Sequence, residues 1–106
     1  MSTPEPLDTI ADMQQLSVGA GAPVQMPDPT VASGVRTPEK VVVQTLTTNT
    51  YPVFIKNNID VAGDGSTGGY ELPPGSNIVL PITSFKSFYL ISTAGTQAVQ
   101  IAFLAG

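Results

Sequence analysis

From Lys40 onward the chain is cut into short runs rich in β-branched and aromatic residues, and this limits its fold more than any other feature. "KVVVQTLTT" and "TYPVFIKN" have strand composition. In "NIVLPI" the residues Ile78, Leu80 and Ile82 share one face. In "QAVQIAFLA" Val99, Ile101 and Phe103 do the same. "SFKSFYLIS" is apolar on both faces, with Phe85, Tyr89 and Ile91 on one and Phe88 and Leu90 on the other, so its second face needs a cover. Side chains along a strand point to alternate faces, so such runs belong to half-buried sheets. Several of them at this spacing, with turn signals between, predict an all-β fold: a small antiparallel β-sandwich or barrel.

The punctuation agrees. Pro73-Pro74-Gly75 places proline where a type II turn needs φ near −60° and glycine where it needs positive φ. "TAGT" at 93–96 supplies another tight turn, with Gly95 at the left-handed position. Pro52 and Pro81 cannot donate to a ladder, so they are expected at edges or bulges. "NNIDVAGDGSTGG" reads as a polar loop with room for a short strand at 59–62.

Residues 1–40 have a different character. They hold six of the ten prolines and five of the eight acidic residues. Proline removes backbone donors and restrains the residue before it. An extended N-terminal arm over residues 1–40 is therefore expected ahead of a β-sandwich domain over 41–106. Within the arm, "PEPLDTIADMQQLSVG" has a proline near a first helical turn, an acid at its positive end and a closing glycine. It reads either as a short docking helix or as a frayed tail. Leu7, Ile10, Met13, Leu16 and Val18 are its spaced apolar side chains and the expected partner-binding residues. An arm of this kind should be removable at residue 18 without loss of the β-fold.

Composition narrows the function. The chain is 42% hydrophobic and 11% charged, against about 25% charged for an average soluble domain. Few charges keep it solvated, so partners are expected to cover part of its surface. A β-region of residues 41–106 is short, and domains of that size bury only about 60% of their unfolded surface. With no cysteine to form a disulfide, oligomerisation or docking is the expected support. Arg36, Lys40, Lys56 and Lys86 are the only basic residues and are scattered, which argues against nucleic-acid binding. No apolar run approaches the roughly 18 residues of a membrane span, and the N-terminus lacks the pattern of a signal peptide.

The chemical inventory points away from catalysis. There is no histidine to activate a nucleophile. Asp60 to Glu71 has the length of an EF-hand loop, and Asp60, Asp64, Gly65 and Glu71 fit its pattern. Ala62 stands where a ligand is needed, however, and no helical sequence flanks the loop, so no metal is expected. "VGAGAP" at 18–23 lacks the third glycine of a dinucleotide fingerprint and reads as a hinge. Tyr51, Phe54, Tyr70, Phe85, Phe88, Tyr89 and Phe103 could form a carbohydrate platform, but core packing accounts for most of them. No catalytic, cofactor or metal residue is assigned.

A proline-rich acidic arm before strands such as "YPVFIKN", "YELPPGSNIVLPI", "SFYLIST" and "AVQIAFLAG" resembles the small virion proteins of tailed bacteriophages, capsid decoration or cement proteins above all. The resemblance covers roughly residues 40–106. It implies a non-enzymatic subunit on the capsid surface, often a trimer, that braces neighbouring major capsid proteins. A tail, neck or fibre-associated subunit and a carbohydrate-binding module are the alternatives.

Overall fold

The computed structural model describes residues 9–31 and 37–105. Eight strands run in the order β1 (Thr9–Val18), β2 (Val24–Gln25), β3 (Lys40–Thr45), β4 (Val53–Lys56), β5 (Tyr70–Leu72), β6 (Asn77–Pro81), β7 (Tyr89–Ser92) and β8 (Gln97–Ala105). They form two four-stranded sheets, β1-β8-β3-β6 and β2-β7-β4-β5, and every pairing is antiparallel. The fold is an all-β sandwich. Every connection except β4–β5 carries the chain from one sheet to the other. This strand order is that of an eight-stranded jelly roll, two Greek keys folded face to face.

Alternation in the sequence becomes the core. Val41 and Val43 of β3, Leu80 of β6 and Val99, Ile101 and Phe103 of β8 point inward from the first sheet. Val53 and Ile55 of β4, Leu72 of β5 and Leu90 of β7 meet them from the second. Phe85 comes from a 3-10 turn (Phe85–Ser87) and stacks edge-on against Phe103, with centroids 5.6 Å apart. Part of "SFKSFYLIS" is therefore a turn, and the strand proper begins at Tyr89. Residues 59–62 are loop rather than strand.

Among the described residues no helix forms where the N-terminal segment allowed one. Its residues 9–18 are the edge strand β1, paired along β8 from Thr9↔Ala105 to Val18↔Gln97. The physical reason is competition: an isolated helix that short is marginal, whereas β8 offers a full ladder of backbone partners. β2 adds to the second sheet beside β7. Val18 and Met26 are fully buried in the common core, and Leu16 packs against it. Residues 9–26 thus belong to the sandwich, and the expectation that removal of residues 1–18 would spare the fold is corrected accordingly. Leu7 lies outside the described residues.

The corners are fixed by the residues that suggested them. Ser76 N–H donates to the Pro73 carbonyl at 3.1 Å and Gly75 has φ +82°, as a type II turn requires. Buried Thr45 anchors this corner: its Oγ1 donates to the Pro73 carbonyl at 2.6 Å and accepts from Ser76 N–H at 3.0 Å. The corner passes the chain between sheets, from β5 to β6. Pro81 lies in β6, an edge strand, and Pro52 stands just ahead of β4.

Candidate interaction surface

The two outer faces of the sandwich differ. On the second sheet Phe54 and Ile91 point outward, and the loop between β4 and β5 folds back to cover them with Val61. Gly63 makes the cover possible, since a Cβ there would sit 2.5 Å from the Ser92 carbonyl oxygen. Thr93 Oγ1 donates to the Gly63 carbonyl at 2.7 Å, and Lys56 pairs with Asp60 at 2.9 Å and donates to the Thr67 carbonyl. The second apolar face of the β7 segment, expected to need a cover, receives it from the chain's own loop. That loop is the candidate calcium segment. Its Asp64 accepts from Ser66 N–H at 2.9 Å, which holds the carboxyl below its usual range. Among the described residues no three acidic side chains converge as metal ligands would.

The first sheet has no such roof among the described residues. Strand register sorts its outer face into rows. Ile10, Leu104, Lys40 and Pro81 form one. Met13, Ala102, Val42 and Val79 form the next. Gln15, Gln100, Gln44 and Asn77 form the third, an uninterrupted row of side-chain amides across four strands. Ile10, Met13 and Val79 are each more than half exposed. Lys40 is the only charged residue in these rows. Asp60, Asp64 and Glu71 lie on the loop and β5, on the opposite side of the sandwich. With strands about 4.8 Å apart and rows about 6.8 Å apart, the face measures roughly 19 by 20 Å, about 400 Å². The first two rows, apolar but for Lys40, make up about 260 Å² of it and the amide row the rest.

The anticipated partner-binding residues divide. Ile10 and Met13 stand on the bare face, Leu16 leans on the core, and Val18 is wholly inside it. Sequence reasoning missed Val42, Val79, Ala102 and Leu104, although the polar phase of each alternating run already carried these apolar residues. Asp12 and Gln14 face the core side of β1. Gln14 Nε2 donates to Asp12 at 2.8 Å and Thr30 N–H donates to Asp12 at 2.8 Å, which together hold the Asp12 carboxyl below its usual range. Gln14 Nε2 also lies 2.8 Å from the Asp28 carbonyl, so residues 28–30 cross the gap between the sheets beneath β1.

The aromatic side chains are dispersed: Phe88 packs against the common core and Tyr89 against the covered outer face of the second sheet. Phe54, Phe85 and Phe103 are buried. Tyr70 pairs in register with Ile55 near the end of β4, whereas Tyr51 precedes that strand, so the two most exposed rings belong to opposite ends of it. The described surface has no pocket. No protein-family model matches the sequence, and searches of curated proteins and of solved structures return no match.

Proposed function

We propose that this chain is a non-enzymatic structural protein of a virion, a capsid decoration or cement subunit that docks on the capsid surface and bridges major capsid proteins. The observation that carries the reading is the nearly uncharged outer face of the β1-β8-β3-β6 sheet, which none of the described residues covers. Jelly rolls recur in viral capsid, lectin and cupin domains, so topology alone admits several functions. A face without a pocket, largely apolar in two of its three rows, suits a broad protein surface better than a small molecule or a sugar. Burying Ile10, Met13 and Val79 is worth about 1.5–3 kcal/mol each before the entropy of association is subtracted. The face is about half of what one partner contributes to a standard interface. Firm attachment therefore requires several copies acting together, or further contacts from the chain, and a lattice provides the former.

Purified virions from the source of this chain test the reading. Hundreds of copies per particle are expected. A dozen or fewer would make it a neck or tail subunit, and absence from particles would refute the virion role. Val79→Glu, far from β1, should leave the circular dichroism spectrum unchanged and strip the protein from particles. Full occupancy by that variant would show that the bare face is not the docking surface.

A further inference from the structure

The edges of the two sheets are unequal. β2 has two residues, β5 three, and β6 five with a terminal proline. Short strands and prolines are the usual means of keeping an edge from pairing. β1 is ten residues long and has no proline. Its protective features lie at one end: the register shifts between Ile10 and Asp12, and Asp12 is an inward-pointing charge. From Asp12 to Val18 the strand is regular, and no backbone group of the described residues pairs with its open side. The tether at residues 28–30 holds side chains on the core side, and among the described residues the ladder edge itself is unpaired.

We propose that this edge pairs with β1 of a second copy of the chain, antiparallel, about a twofold axis through Gln15. Gln15 is the midpoint of the regular stretch Asp12–Val18, so a twofold there uses all of it. Asp12 then faces Val18 of the second copy, Met13 faces Ser17, and Gln14 faces Leu16. No like charges are opposed. Gln15 faces its own counterpart, and an amide is both donor and acceptor, so it complements itself. The third row of the bare face then runs unbroken through eight strands, as Asn77, Gln44, Gln100 and Gln15 followed by the same four residues in reverse. Amide ladders of this kind stabilise stacked strands. A second copy is the occupant that this row selects, because it presents the matching amide at the matching height. Both bare faces fall on the same side, and their joined area of about 800 Å² is what one partner gives to a standard interface. The pairing does not rest on the virion reading.

The chain contains no cysteine, so single cysteine variants give a clean readout. Facing side chains of an antiparallel pair have Cβ atoms about 4.5–5.5 Å apart, close enough to join with small adjustment. Under mild oxidation Gln15→Cys should form a covalent dimer much faster than Asn77→Cys, which occupies the same row at the far edge. In sedimentation the intact chain should show a concentration-dependent dimer. Gln15→Lys and Gln15→Glu should each weaken it about fivefold or more by opposing like charges, and mixing the two should restore it. A monomer at all concentrations, a trimer, or equal crosslinking of the two cysteine variants would overturn the proposal. Loss of particle binding by Val79→Glu with the dimer intact would separate this interface from the docking face.

Discussion

Gln97→Leu should be among the most damaging single substitutions in this protein that leave the apolar core intact. Gln97 opens β8 and is only 6% exposed. Its Oε1 accepts from Thr50 N–H at 2.9 Å and from Tyr51 N–H at 3.3 Å, and its Nε2 donates to the Ala94 carbonyl at 3.0 Å. One side chain thus ties the β3–β4 crossover to the turn between β7 and β8. Leucine matches its volume but leaves three backbone groups without that partner. A buried backbone group left unsatisfied costs about 1–3 kcal/mol. These groups are partly buried and one bond is long, so a total of about 2–4 kcal/mol is expected. Total stability for a domain of this size is about 5–15 kcal/mol, so the loss is a large fraction. Urea unfolding followed by circular dichroism measures it. A Gln97→Leu variant within about 0.5 kcal/mol of the native chain would refute the idea that this side chain organises the crossovers.

Other outcomes follow from the same structure. Deleting residues 1–18 removes β1 together with buried Val18 and half-buried Leu16, at about 3–6 kcal/mol of lost burial, and should abolish cooperative unfolding in a thermal melt. Gly75→Ala forces a side chain into φ +82° and brings a Cβ to 3.1 Å from Thr47 Cγ2, so it should cost about 1 kcal/mol or more in urea. Asp12→Ala releases Thr30 N–H and Gln14. Because the Asp12 carboxyl lies below its usual range, the stabilisation is present above the unfolded pKa and lost as pH falls through the folded one. The urea midpoints of variant and native chain should therefore converge in strong acid. Millimolar calcium should leave the melting temperature unchanged, since Asp60 and Asp64 are engaged with Lys56 and Ser66; a clear rise reversed by chelator would contradict this.

Local physics was enough to determine most of the strand structure after Lys40 and the corner at Pro74-Gly75, but not the turn at Phe85–Ser87 or the loop at 59–62. Val99, Ile101 and Phe103 had to face one way because adjacent side chains on a strand point oppositely. Pro74-Gly75 had to turn because few other pairs suit that backbone. Residues 9–18 were a different matter. Their spacing suggested a weak helix or a frayed tail, and only the flank of β8, distant in sequence, made a strand the better choice. The cover over Phe54 and Ile91 was equally hidden, because a polar, glycine-rich loop gives no local sign of folding back onto a sheet. The bare face was decided by register. Met13, Val42, Val79 and Ala102 come from four separate strands, and only the pairing of β1, β8, β3 and β6 lines them up as one surface.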